Sequence, residues 1–235
     1  MSNNSEKKSI TLIILLMVFV SCLNTHELFA KQNSEPNGYD EKTKPQGEIY
    51  KLAKQTKDKN SDHVTLSFIP DRSVIAPNVR QLSRYSTEII VGRVVENRSY
   101  LNNEGDAIHK YLTVLVQDSI KGSIDPGLVI QIQQFGGSWL YSDGLAVTWM
   151  PVGEVIAQDG KSYVFFLNNG KAEYAEHYLT TLGAQGVFEL DFELDVIVPT
   201  DLNKRDPVVR KYTNVSITDF FDEINSVVNE EVSGF

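Results

Sequence analysis

Residues able to do chemistry are thinly spread along this chain of 235 residues. The four histidines, His26, His63, His109 and His177, never fall at i,i+4 from one another, and Cys22 is the only cysteine. Neither a Cys-based metal site nor a disulfide can be built from that set. The chain has no H-E-x-x-H, no G-x-S-x-G elbow, no P-loop and no dinucleotide fingerprint. The histidines therefore read as surface or core residues, and no cofactor is expected. Glu189, Asp191, Glu193 and Asp195 recur at every second position, so on one strand they would share a face at spacings of roughly 6.5–7 Å. A calcium ion needs converging oxygens, which a single straight strand does not supply. The stripe reads as a solvated acidic face, with attraction of cations or a basic partner as the functional alternative. The segment from Phe135 to Pro151 is richer. It holds Trp139, Tyr141 and Trp149, both tryptophans of the chain among them, between Gly136, Gly137, Ser138, Ser142 and Gly144. Rings on a glycine-rich loop at a barrel rim can stack on a sugar, a peptide or a partner surface. The competing reading folds them inward as a satellite core. Trp139, Tyr141 and Trp149 are the candidate binding residues.

The N-terminus supplies an address. Lys7 and Lys8 precede an uncharged run from Ile10 to Val20, which has the length of a signal-peptide core and is shorter than a bilayer span. Ser21-Cys22 then resembles a lipobox, with Phe19 departing from the usual aliphatic residue, and it makes Cys22 the expected lipidation site. Cleavage after Leu28-Phe29-Ala30 is the alternative. The expected organisation is a signal peptide over 1–21, a flexible polar tether over 22–62 and one folded domain over 63–235. The tether assignment rests on Lys, Asn, Gln, Asp and Glu with Pro36, Gly38, Pro45 and Gly47, a composition unable to offset its ordering entropy. Within it, Ile49-Tyr50 and Leu52-Ala53 suggest at most one helical turn.

The formal net charge is −9, and loss of Lys7, Lys8 and Glu6 with the leader leaves the exported chain more acidic by a single charge. That balance argues against nucleic acid or an anionic membrane face as partner.

The elements that must position any site are short strands. Thr87 to Glu96 is apolar on both faces and so reads as a central strand, with Gly92 marking a bulge or a close backbone approach. Asn78 caps a short helix before it. Asn102 to Asp106 is a turn into a second strand, Tyr111 to Gln117; Leu128 to Phe135 and Gly160 to Leu167 follow, and Gly183 and Gly186 flank a turn before Val187 to Val198. Ser216 with Asp219 opens a C-terminal helix over 217–231, whose Ile217, Phe220, Phe221, Ile224 and Val228 form one stripe.

In that order, the helix, the strand Glu88-Ile89-Ile90-Val91-Gly92-Arg93-Val94-Val95, its hairpin partner, Lys121-Gly122, Phe135-Gly136-Gly137 and the strand from Gly160 to Leu167 resemble exported bacterial proteins of unassigned role. More remotely they are similar to the netrin-like domain of tissue inhibitors of metalloproteinases. The likeness spans about Val79 to Leu190 and implies an all-β, OB-like (netrin-like) barrel of five strands. The inhibitors' chelating N-terminal cysteine does not carry over, because Cys22 has no partner cysteine and lies a tether away from the barrel. The expectation is a non-catalytic exported binding module, lipid-anchored at the envelope, that recognises a protein or saccharide through its rim loops. A hydrolase with carboxylates from separate loops, or a structural subunit of an envelope complex, is the alternative.

Overall fold

The computed structural model describes residues 47–58, 61–70, 74–169 and 177–233, all within the unit Lys44–Phe235. The expected signal peptide, both candidate cleavage sites, Cys22 and most of the expected tether lie outside the described residues. The elements are α1 (Glu48–Thr56), β1 (His63–Phe68), α2 (Val79–Tyr85), β2 (Glu88–Leu101), β3 (Ile108–Lys121), β4 (Val129–Phe135), β5 (Gly137–Leu140), β6 (Ala146–Pro151), β7 (Ser162–Asn169), β8 (Tyr178–Thr180), β9 (Val187–Asp191), β10 (Val196–Pro199), α3 (Pro207–Tyr212) and α4 (Ile217–Ser233).

The fold is mostly β and barrel-like. Strands β2, β3 and β4 form an antiparallel meander, and β7 returns to lie antiparallel beside β2. That spatial order, fourth–first–second–third, is a Greek key. Strand β8 pairs parallel with β4 and antiparallel with β7, so β7–β2–β3–β4–β8 makes a closed circuit. Strands β9 and β10 extend the sheet beyond β7.

Three apolar cores follow from the strand alternation. Inside the circuit lie Ile90, Val94, Leu112, Val114, Val116, Ile132, Tyr163, Phe165 and Leu167. Burial raises the Tyr163 phenol to about 12, and its oxygen accepts the Gln158 amide at 2.9 Å. The opposite faces of β2 and β7, with Ile89, Val91, Val164 and Phe166, pack under α2, α3 and α4 through Leu82, Tyr212, Phe220 and Ile224. Ile90 and Val91 are thus buried on opposite faces, as expected for a central strand. Gly92 sits at a register shift between β2 and β3, and a Cβ there would overlap the Val114 methyl.

N-caps start two helices where the sequence suggests. The Asn78 side chain accepts the Gln81 amide at 2.9 Å, and Ser216 Oγ accepts that of Asp219 at 3.1 Å. One detail differs: α4 buries Val227 beside the expected stripe.

The third core corrects the domain boundary. β2 and β3 run several residues past the barrel, and their Leu101 and Ile108 meet β1, β6 and α1 through Val64, Leu66, Val147, Ile49 and Ala53. Gly47 to Thr56, read as tether, is therefore part of the folded unit, and the domain begins before His63. The composition argument failed because one face of α1 needs only Ile49 and Ala53 to dock, while its lysines stay in water. Lys54 reaches Asp143 at 2.6 Å and Tyr50 donates to the same carboxylate at 2.9 Å. The lysine and the tyrosine hydroxyl hold the Asp143 carboxyl at about 2.

The Lys121-Gly122 turn after β3 is clamped by a buried carboxylate. Glu88 Oε2 accepts the amides of Ser123 (2.8 Å) and Ile124 (3.3 Å), and Oε1 accepts the Ser123 hydroxyl at 3.4 Å. Gly122 has φ +103°, and a Cβ on it would fall within the Glu88 carboxylate.

Candidate functional site

The expected binding residues point inward. Of the segment from Phe135 to Pro151, Phe135 ends β4 and Gly137 to Pro151 is the hairpin β5–β6 rather than a rim loop, with Trp139 opposite Val147 and Gly137 opposite Trp149. β6 also pairs parallel with β1, placing Leu66 beside Trp149 and Phe68 beside Pro151. Alternation then turns Val64, Leu66, Phe68, Val147, Trp149 and Trp139 to the third core. Tyr141 is only 8% exposed, and Trp139 and Trp149 are half-buried. Phe68 and Trp149 have ring centroids 4.3 Å apart, and Tyr50 meets Tyr141 edge-on at 4.9 Å. The three rings share one side, but that side is a core. A flexible aromatic rim is replaced here by a packed sheet, because β1 supplies the third strand that makes the hairpin's apolar face worth burying.

The acidic stripe is also broken. Val187 to Val198 is two strands joined by a turn in which Asp195 takes φ 54°. Asp191 Oδ1 accepts the amides of Glu193 and Leu194, each at 3.0 Å, and Glu189 pairs with Lys161 at 2.6 Å. Glu189 and Asp191 thus serve the strand and the turn. No group of three His, Cys, Asp or Glu among the described residues is arranged to hold a metal ion, and no helix among them is long and apolar enough to cross a membrane.

The structure instead assembles a surface that linear spacing concealed, on the outer face of β2, β3 and β4. Register brings Tyr100 opposite His109, His109 opposite Phe135, Arg98 opposite Tyr111, and Tyr111 opposite Gln133. A bulge between Val94 and Glu96 shifts β2 by one residue, which turns Glu96, Arg98 and Tyr100 to this face. The rings touch in sequence. Tyr100 meets Tyr111 edge-on at 5.0 Å, Tyr111 meets His177 at 4.5 Å, and His109 meets Phe135 at 5.0 Å. Phe135 is 60% exposed, whereas His109 (8%) and Gln133 (5%) lie beneath the rings.

Polar groups in this surface are held and only partly satisfied. Gln133 Nε2 lies 2.7 Å from His109 Nδ1, an amide contact that fits a neutral imidazole carrying its proton on Nε2. Burial lowers the His109 pKa, against the smaller opposing pull of Asp106. Gln133 Oε1 and His177 Nδ1 are shut from solvent without a hydrogen-bond partner. At the rim, Arg98 Nε lies 2.8 Å from Glu96 Oε1, both side chains being largely exposed. His63 is elsewhere, its Nε2 2.9 Å from the Thr148 hydroxyl. No protein-family model matches the chain, and no curated protein matches it.

Proposed function

We propose that this protein is an exported, lipid-anchored, non-catalytic binding module on an OB-type, netrin-like barrel, and that it recognises a saccharide through the outer face of β2–β4. The Greek-key circuit of five strands supports the OB-type reading. One observation carries the function: Tyr100, Tyr111 and Phe135 line a face that also presents Arg98 and Glu96 and is supported from beneath by the buried His109–Gln133 pair. Sugar rings offer apolar C–H faces that stack on aromatic rings, and vicinal hydroxyls that planar polar side chains hold in pairs. The guanidinium of Arg98 and the carboxylate of Glu96 are such planar groups. OB-type barrels use this kind of sheet face for oligosaccharides.

The test is a glycan array probed with the purified mature protein, followed by calorimetric titration of the retained glycans. Phe135→Ala is expected to weaken binding by about tenfold, since stacking of one ring contributes about 1–3 kcal/mol in comparable sites. Its melting temperature should stay close to the parent's, because the ring is exposed. Absence of any retained glycan, or binding indifferent to both Phe135→Ala and Tyr111→Ala, would overturn the proposal.

A further inference from the structure

The three-stranded sheet β1–β6–β5 has one edge whose backbone is left open. Among the described residues β1 pairs only with β6, in parallel and without a register shift. The Ala146 amide bonds the Asp62 carbonyl and the Val152 amide bonds that of Phe68, so the even-numbered residues of β1 turn their peptide groups to β6. His63, Thr65 and Ser67 turn theirs the other way. The His63 groups are satisfied: Ser61 Oγ accepts its N–H at 3.1 Å and donates to its carbonyl at 2.6 Å. Pro70 closes the far end. Between these stops, the amides and carbonyls of Thr65 and Ser67 point outward, and no described residue bonds them. Both residues are exposed.

Exposed edges invite pairing, and proteins blunt them with lysine, proline or a bulge. β1, with the sequence HVTLSF, has none of these. Its pattern of residue types around Leu66, apolar Val64 and Phe68 with hydroxyl-bearing Thr65 and Ser67, is also symmetric on reversal. Two copies related by a two-fold axis through Leu66 set Thr65 opposite the other copy's Ser67, both in hydrogen-bonded positions, which makes four inter-chain bonds. On the inner face Leu66 then lies opposite Leu66, and Val64 opposite Phe68. On the outer face Ile69, which is 86% exposed, comes opposite His63. No like charges face each other, and apolar meets apolar on the core side.

We infer that β1 is a self-association edge: a second copy of this chain adds its own β1 antiparallel, centred on Leu66, joining the two three-stranded sheets into one of six strands. The contact lies on a different sheet from the proposed saccharide face and does not depend on it. Isologous pairing of this kind closes at the dimer, because each copy offers the edge once.

Sedimentation velocity of the purified chain over a range of concentrations should show a monomer–dimer equilibrium. Thr65→Pro removes an N–H that β6 does not use, and its preceding residue is already extended, as proline requires. Two inter-chain bonds are lost per dimer, so the dissociation constant should rise roughly 10-fold or more. Thr65→Val keeps the N–H and should leave it unchanged. The double variant Thr65→Cys/Ser67→Cys should form an inter-chain disulfide on mild oxidation. Either single cysteine should not, beyond the background of the parent's Cys22. The thiol experiment decides the register even if Thr65→Pro fails to fold. A chain monomeric at every concentration, a dimer untouched by Thr65→Pro, or equal cross-linking of the single and double variants would overturn the inference.

Discussion

Replacing Glu88 by alanine tests whether a buried carboxylate holds the β3–β4 turn. Glu88 is 6% exposed and accepts three hydrogen bonds from Ser123 and Ile124. Removing the acceptor strands two amides of unequal standing. Ser123 is exposed, so water can replace its lost bond, whereas Ile124 is buried in the barrel core. Leaving a buried donor unsatisfied costs about 1–3 kcal/mol, and the bond to the more exposed amide contributes about another 1 kcal/mol. Glu88→Ala should therefore lose about 2–4 kcal/mol, which for a domain of this size lowers Tm by roughly 5–15 °C. Glu88→Gln keeps one acceptor oxygen and should lose about half as much. Gly122→Ala should resemble Glu88→Ala, because the new methyl displaces the carboxylate and also strains a φ of +103°. The assay is a calorimetric melt of each variant together with hydrogen exchange at the Ser123 and Ile124 amides. A Glu88→Ala protein that melts within about 2 °C of the parent, with both amides still protected, would refute the clamp.

Two further expectations concern the aromatic residues and pH. Trp149→Ala should destabilise by about 2–4 kcal/mol, somewhat below the range for fully buried rings, because Trp149 is half-buried against Phe68; a melt unchanged by the substitution would show the ring is not part of the third core. The depressed His109 pKa means that the unfolded chain takes up a proton below about 6.5 while the native imidazole does not. Stability should hold above that pH and decline as pH falls from it toward the folded-state pKa. Urea midpoints at neutral and mildly acidic pH should show this slope, and His109→Gln should flatten it; a parent and variant with the same slope would assign the acid sensitivity to other groups.

Much of the barrel was legible in local pattern. Two-sided apolarity at Ile89 to Val95 can only be satisfied by a strand covered on both faces, and the structure buries Ile90 inside the circuit and Val91 beneath α4. Asn78 and Ser216 cap their helices because each offers a side-chain acceptor to the amide three residues on, a contact that sequence spacing alone determines. Gly92 and Gly122 mark places where another group occupies the volume of a Cβ. These are short-range constraints, and a linear reading captures them.

Partnership across the chain was decided only by the tertiary structure. Trp139, Tyr141 and Trp149 have the composition of a recognition loop, and they became a core because β1, more than seventy residues earlier, pairs with β6 and because α1 closes over them. α1 itself is too polar to reveal that Ile49 and Ala53 would be buried, since two small contacts suffice once a complementary surface exists. The face proposed here to bind saccharide draws Tyr100, Tyr111, Phe135 and His177 from four segments. One bulge before Glu96 determines which β2 residues join it. A strand's side-chain period is two, so a one-residue shift exchanges the faces, and that shift is a property of pairing rather than of either strand alone. Sequence thus determined the central barrel strands, two helix caps and the tight turns, which depend on neighbours in the chain; register and closure, which depend on partners far along it, determined which side chains meet solvent together.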